Sequence, residues 1–252
     1  MASLTNNFNG GPSGTILTTA NSGQFGDNAF DTTATTGTGT VVDFVSNDVY
    51  GVGRPTAEFV LNTSAGTTGT PYVEWTTSLG SQTEIWTRFY VYVLNSVPST
   101  ANRALFSITH ASTLSVGVWL RLTSTPRSLL IIDSAGTTVA MTTALTAGAW
   151  NRIEFHALSS GSSDLRLYAD PNTDTNIITE SISQTGASYG ATAFTKYQLG
   201  QRVTSSGGVP NGLFSNWTLN NTGYAGPAPF RQGLGNPAGN LTTPLAIHSA
   251  VD

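Results

Sequence analysis

An all-β fold, a sandwich or barrel of antiparallel strands, is what this sequence predicts, on three observations. Apolar and polar residues alternate with a period of two in short runs along most of the chain, the spacing that turns one face of a strand to a core and the other to solvent. Gly, Ser, Thr and Asn cluster between the runs, where turns are needed. No stretch sustains the apolar spacing of an amphipathic helix.

In chain order, residues 10–40 are turn-rich and read as an irregular edge anchored by Phe25 and Phe30. TVVDFVS at 40–46, AEFVLN at 57–62 and PYVEWTT at 71–77 are short runs with β-branched or aromatic residues. The longest run, TEIWTRFYVYVL at 83–94, places Ile85, Phe89, Val91 and Val93 on one face and Trp86, Arg88, Tyr90 and Tyr92 on the other. ALFSITH at 104–110 follows, then SVGVWLRLT at 115–123, with Val118, Leu120 and Leu122 inward and Trp119 and Arg121 outward. SLLIID at 128–133 and TTVAMTT at 137–143 precede AWNRIEFHAL at 149–158, where Ile153 and Phe155 point to the core and Trp150, Arg152, Glu154 and His156 share the opposite face. SDLRLYA at 163–169 turns Leu165 and Leu167 inward and Arg166 outward, so Arg152 and Glu154 are expected to meet Arg166 across the strands. NIITESIS at 176–183, FTKYQLGQ at 194–201 and GLFSNWTL at 212–219 complete the set. Val91, Val93, Leu120, Leu122, Ile153, Phe155, Leu165 and Leu167 are the expected core, with Trp150 closing it where a turn enters its strand.

Hydrophobic residues make up 38% of the 252, with five Trp, eight Tyr and eleven Phe, which is enough for a sizeable core. Charged residues are only 10%, against roughly 25% in an average soluble protein; 40 Thr and 26 Ser hydrate the surface instead. One lysine, Lys196, stands against nine arginines at a net charge of −4, and no basic stripe forms, so nucleic acid is not an expected partner. The absence of cysteine excludes disulfides, cysteine-ligated metals and thiol catalysis. No apolar stretch approaches the ~20 residues of a membrane span. The first residues lack the basic-then-apolar pattern of a secretory signal, and no membrane is expected.

The chemical candidates are few. A sandwich glycosidase places paired carboxylates on one strand, as Glu-x-Asp-x-Glu, and no Glu-x-Asp pair occurs here. Glu74 and Glu84 lie on separate runs beside Trp75 and Trp86. None of His110, His156 and His248 neighbours a Gly-x-Ser-x-Gly elbow or forms a zinc-binding pair. DPNTDTN, from Asp170 to Asn176, groups oxygen side chains as a calcium loop does, but reads as an Asx-rich turn. The expectation is no enzymatic activity, no cofactor and no metal. Trp86, Arg88, Tyr90, Tyr92, Trp119 and Arg121 are the candidate binding residues. If their two strands share a sheet, they form rows of flat rings and guanidiniums suited to stacking on sugars or anchoring a protein. The alternative is that loops or a neighbouring subunit cover them.

The block from Leu120 to Asp174 resembles a laminin G-like, concanavalin A-like jelly-roll domain, with its Leu-Thr-x-Gly-x-Trp turn at Leu145, Thr146, Gly148 and Trp150 and its Leu-x-Leu-Tyr-x-Asp hairpin at Leu165, Leu167, Tyr168 and Asp170. The opening LTNNFNGG is similar to that family's first strand, and YQLGQ and GLFSNWTL to its last two. The resemblance implies an all-β, antiparallel jelly-roll sandwich over residues 1–222. Cysteine-free, Thr- and Gly-rich forms of the domain resemble virion proteins of phages infecting actinobacteria. That resemblance implies a structural role at the particle surface, in a minor tail or head-decoration protein. The expected partners are other capsid or tail proteins, further copies of itself and a cell-surface glycan. A lectin-like carbohydrate-binding module of a bacterial surface protein is the alternative.

Residues 223–252 carry four prolines and five glycines and read as an extended arm. Tyr224, Phe230, Leu234, Leu241, Leu245 and Ile247 are spaced along it, a pattern suited to seating side chains in pockets of another chain. Truncation after Thr222 is expected to abolish assembly while leaving the sandwich and its melt unchanged.

Overall fold

A computed structural model describes residues 3–36, 41–45, 56–60, 70–93, 102–110, 113–121, 127–140, 145–169, 172–190, 192–201 and 212–228. Within them, strands form two antiparallel sheets. The first runs β13 (Glu180–Gln184), β12 (Ser162–Ala169), β11 (Trp150–Leu158), β6 (Glu84–Val93), β15 (Gly212–Asn220), β4 (Thr56–Val60) and β3 (Val41–Val45). The long β15 also pairs with β1 (Ser3–Asn6) along its second half, which makes this sheet eight-stranded. The other sheet has seven strands, β10 (Thr138–Ala140), β9 (Ser128–Asp133), β8 (Thr113–Arg121), β7 (Arg103–His110), β14 (Lys196–Gly200), β5 (Thr70–Trp75) and β2 (Thr32–Thr36). Their inner faces share one core, and the architecture is the expected jelly-roll sandwich.

The core follows the period of two. Val91, Leu120, Ile153, Phe155, Leu165 and Leu167 are all buried between the sheets, as the alternation requires; Leu122 and the Val93 side chain lie outside the described residues. At the centre Trp75 of β5 stacks on Trp217 of β15, with ring centroids 4.1 Å apart. Phe30 packs on both rings. Phe25, expected to anchor the same stretch, is instead exposed. Asn151 is the polar exception on the inner side of β11. Its carboxamide receives the Thr146 amide and donates to the carbonyls of Thr146 and Ala149, which locks the turn preceding the strand.

The structure corrects three further sequence expectations here. β2 lies within the stretch read as irregular, because TTATT at a sheet edge needs no apolar alternation to pair with β5. β6 and β8 lie in different sheets. Trp86, Arg88, Tyr90 and Tyr92 therefore face out on one side of the sandwich and Trp119 and Arg121 on the other, so the six candidates form no common surface. Trp150 is buried, but on the outer side of the eight-stranded sheet with Tyr90, Leu213 and Ala228, not in the inter-sheet core.

Candidate functional site

Chemistry-bearing side chains concentrate on the outer face of β6, β11 and β12, and strand register arranges them in rows. Trp86, His156 and Asp164 form one row, continued by Ser183 of β13. Arg88, Glu154 and Arg166 form the next, and Tyr90, Arg152 and Tyr168 the third. Tyr92 beside Trp150 ends the series.

In the first row the Trp86 and His156 rings stack nearly parallel, 9° apart with centroids at 4.5 Å. His156 Nε2 lies 2.9 Å from Glu84 Oε1 and Nδ1 lies 3.3 Å from Asp164 Oδ2. The two carboxylates approach opposite edges of the imidazole, so they fix its plane and do not converge on one ion. Glu84 and Asp164 remain 39% and 45% exposed, which makes this the open end of the face. Tyr224 borders it, with the Arg166 guanidinium 3.6 Å from its ring centre. Burial raises the Tyr224 phenol to about 12, against the opposing pull of Arg166. Its hydroxyl has no hydrogen-bond partner among the described residues.

Apart from the half-buried Arg166, the middle rows are buried, which corrects the expectation of a solvated polar surface on this face. Arg152 is fully enclosed. It donates to the carbonyls of Thr173 and Thr175, both at 2.6 Å, stacks on Tyr168 at 3.6 Å and pairs with Glu154 at 3.3 Å. The Tyr168 hydroxyl donates to the other oxygen of Glu154. Arg166 stands opposite Glu154 in register, yet its guanidinium covers the Tyr224 ring. The loop carrying Thr173 and Thr175 belongs to the stretch read as an Asx-rich turn, and both carbonyls accept from the Arg152 guanidinium.

Arg88 donates to the Thr218 hydroxyl at 2.6 Å, to the Asn216 carbonyl and to the Gly226 carbonyl. A bulge in β15 between Ser215 and Thr218 makes room for it. Gly226 and Ala228 cross above Arg88 and Tyr90, and the Ala228 amide donates to the Tyr90 hydroxyl at 2.9 Å. The start of the expected assembly arm thus folds back on its own sandwich, Tyr224 included. Phe230, Leu234, Leu241, Leu245 and Ile247 lie outside the described residues. On the opposite side of the molecule Trp119 is half-buried between Ala104 and Leu130, and Arg121 is exposed.

Sequence reasoning placed Trp86, Arg88, Tyr90, Arg152, Glu154 and His156 on outer faces and missed Asp164, Glu84 and Tyr168 as their partners. Glu84 and Asp164 meet through His156 only once the register of β6, β11 and β12 is known.

No family model and no curated protein matches the sequence. Solved structures do. The endo-β-1,4-glucuronan lyase of the fungus Trichoderma reesei is similar at 12% identity and a TM-score of 0.53, over 77% of this chain and 92% of that one. The alginate lyase vAL-1 of a Chlorella virus is similar at 11% identity and a TM-score of 0.50, over 73% of this chain and 90% of that one. A Shewanella oneidensis protein of unknown function is similar at 14% identity and a TM-score of 0.50, covering 86% and 84% respectively. At such identities the likeness shows the fold, one that carbohydrate-active proteins share. It also overturns the expectation of no enzymatic activity. That expectation rests on the missing carboxylate strand of a hydrolase, whereas two of these likenesses are to lyases, which break a polysaccharide by elimination without adding water. None of the three bears on a phage or virion placement.

Proposed function

We propose that the chain engages an acidic polysaccharide on the outer face of β6, β11 and β12. The observation that carries this reading is the row register. At the open end of the rows the half-buried Arg166 guanidinium lies over the Tyr224 ring and Trp86 stacks on His156, whereas Arg88 and Arg152 are buried behind it. Guanidiniums recognise a uronate carboxylate in paired, charge-assisted hydrogen bonds, and flat rings stack on the apolar face of a sugar. The polymer enters at the open end, against Trp86, Arg166 and Tyr224. The fold's likeness to glucuronan and alginate lyases supports a uronate polymer over a neutral glucan.

A second reading, cleavage by elimination, is favoured by Tyr224. In elimination a base takes the proton next to the uronate carboxylate, the electron pair forms the C=C bond and the glycosidic C–O bond breaks, so a cation must hold the carboxylate and an acid must protonate the departing oxygen; at the open end Asp164, 45% exposed, is the carboxylate placed to take the proton. Tyr224 is a protonated phenol at neutral pH and lies against Arg166, and its hydroxyl, unpartnered among the described residues, is buried until a bound polymer uncovers it.

Calorimetric titration with glucuronan, alginate and a neutral β-glucan tests the binding. The acidic polymers bind, Trp86→Ala and Arg166→Ala weaken them about tenfold or more, and added salt weakens them further. Equal binding of the neutral glucan, or no binding of either acidic polymer, sinks the proposal. Incubation with the same polymers tests the second reading: ultraviolet absorbance of an unsaturated uronate rises for the native chain and is lost in Tyr224→Phe. A flat trace with a polymer that binds rejects cleavage of that polymer.

A further inference from the structure

The face is open at its Trp86–His156 end and covered at its Tyr90–Trp150 end, and the cover over that end includes a short piece of chain. Gly226 accepts a hydrogen bond from Arg88 Nη1 at 3.1 Å, the Ala228 amide donates to the Tyr90 hydroxyl, and the Ala228 methyl fills a small apolar cluster with Tyr90, Trp150 and Leu213. The fit is incomplete. Trp150 Nε1 is buried under this cover with no hydrogen-bond partner among the described residues. Native interiors rarely leave such an atom unpaired. Gly226 sits at φ +67 with no heavy atom closer than 3.8 Å to a Cβ placed on it, a backbone freedom that suits a hinge.

We infer that Gly226, Pro227 and Ala228 occupy the far half of the saccharide groove and that a bound uronate chain displaces them. The inference rests on the acidic-polysaccharide reading above. What the cover supplies to the floor is what a uronate supplies better. A carboxylate on Arg88, a residue only 4% exposed, adds an ion pair and a two-pronged geometry that a single peptide carbonyl does not. A sugar hydroxyl gives Trp150 Nε1 an acceptor that none of the described residues supplies. The rings of Tyr90, Tyr92 and Trp150, which with Leu213 and Val45 now pack against Ala228, become a stacking platform where Ala228 leaves them. The two ends belong to one track, since Trp86 and Tyr92 lie six residues apart on the same strand, ~20 Å at the rise of a β-strand, a length of several sugar rings. A short oligosaccharide fits the open end alone. A longer one has to lift the cover, so its measured affinity is reduced by the fraction of molecules that are closed.

The experiment compares a glucuronate disaccharide with a glucuronate hexasaccharide, titrated into the native full-length chain and into two variants that unseat the cover by different means. Ala228→Gln does not fit the apolar cluster, and Gly226→Val strains the backbone at positive φ. Both variants bind the hexasaccharide about tenfold more tightly than the native chain, as expected for removal of a closed state. Both bind the disaccharide as the native chain does. Acrylamide quenching of tryptophan fluorescence rises in both without ligand, because Trp150 becomes accessible. Native and variant chains that bind the hexasaccharide equally well overturn the inference and leave the saccharide reading standing. Failure of every chain to bind either sugar removes both. If one variant loses its fold, seen in far-UV dichroism, the other decides by the same affinities; loss in both shows that the segment is a structural part of the sandwich and overturns the inference.

Discussion

Single side chains divide into those that hold the sandwich and those that sit on it. Trp217 belongs to the first group: it stacks on Trp75, and its indole N–H donates to the Thr87 hydroxyl at 2.9 Å inside the core. Trp217→Ala is expected to cost about 3–5 kcal/mol in urea unfolding. Trp150 packs in a small outer cluster, and its replacement by Ala costs less than that of Trp217. The opposite ranking would place the molecule's main core on the wrong side of β11. Asp31 works through polar bonds. Its partial burial alone raises the carboxyl, but the amides of Thr76 and Ser78 and the hydroxyls of Thr77 and Ser78 all donate to it, and together they bring it below its ordinary value of 3.8. A carboxylate depressed on folding adds stability that is present above its unfolded value and lost as pH falls through its folded one. Asp31→Asn is therefore expected to lower the melting temperature at neutral pH, and the gap to the native chain closes as the pH drops below about 4. A gap that persists in acid would show that Asp31 acts by its shape and not by its charge.

At the level of the element, β15 decides how the outer face of β6, β11 and β12 is built. Its alternation sends Phe214, Trp217 and Leu219 to the core, two of them with an extra residue between, and the bulge accommodates the mismatch. Asn216 takes φ +49 there, a left-handed conformation that Asn tolerates and β-branched residues resist. The bulge also turns the Asn216 carbonyl and the Thr218 hydroxyl to Arg88. Asn216→Val is expected to destabilise by about 1–3 kcal/mol and to weaken uronate binding with it, whereas Asn216→Gly keeps the backbone geometry and stays near native. Equal melting of the two variants would show that the left-handed residue carries no strain. The run of the bulge is invisible in GLFSNWTL, because a period of two with one residue inserted looks the same as a run read in either frame.

For the molecule as a whole, the boundary at Thr222 is not where the sandwich's own contacts end. Tyr224 buries its ring against Arg166 and His156, and Ala228 closes the outer cluster. Truncation after Thr222 is therefore expected to lower stability by about 1–3 kcal/mol, from the lost ring burial and cation–π contact. Far-UV dichroism should keep its β character, because both sheets are complete without the segment. An unchanged denaturation midpoint would return these residues to the arm that the composition suggests. The same logic applies to charge. A chain of net charge −4 is a poor general attractor of polyanions, so the uronate binding proposed for the open end would rest on local contacts such as Arg166 and weaken as ionic strength rises.

The sequence by itself determined the fold class, nearly all of the strands and the inner or outer side of most residues on them, because a period of two is a local property that each run carries alone. It also determined which residue types could do chemistry on the outer faces. Tertiary structure decided which of those faces meet. Trp86 and Trp119 sit on similar strands with similar alternation, and only strand order puts them on opposite sides of the sandwich. Glu84, His156 and Asp164 come together through cross-strand register over 80 residues of chain, a relation that no local pattern encodes. Burial of Arg88 and Arg152 was decided the same way, by a loop and a returning segment that cover a face whose alternation alone marks it as solvent-facing.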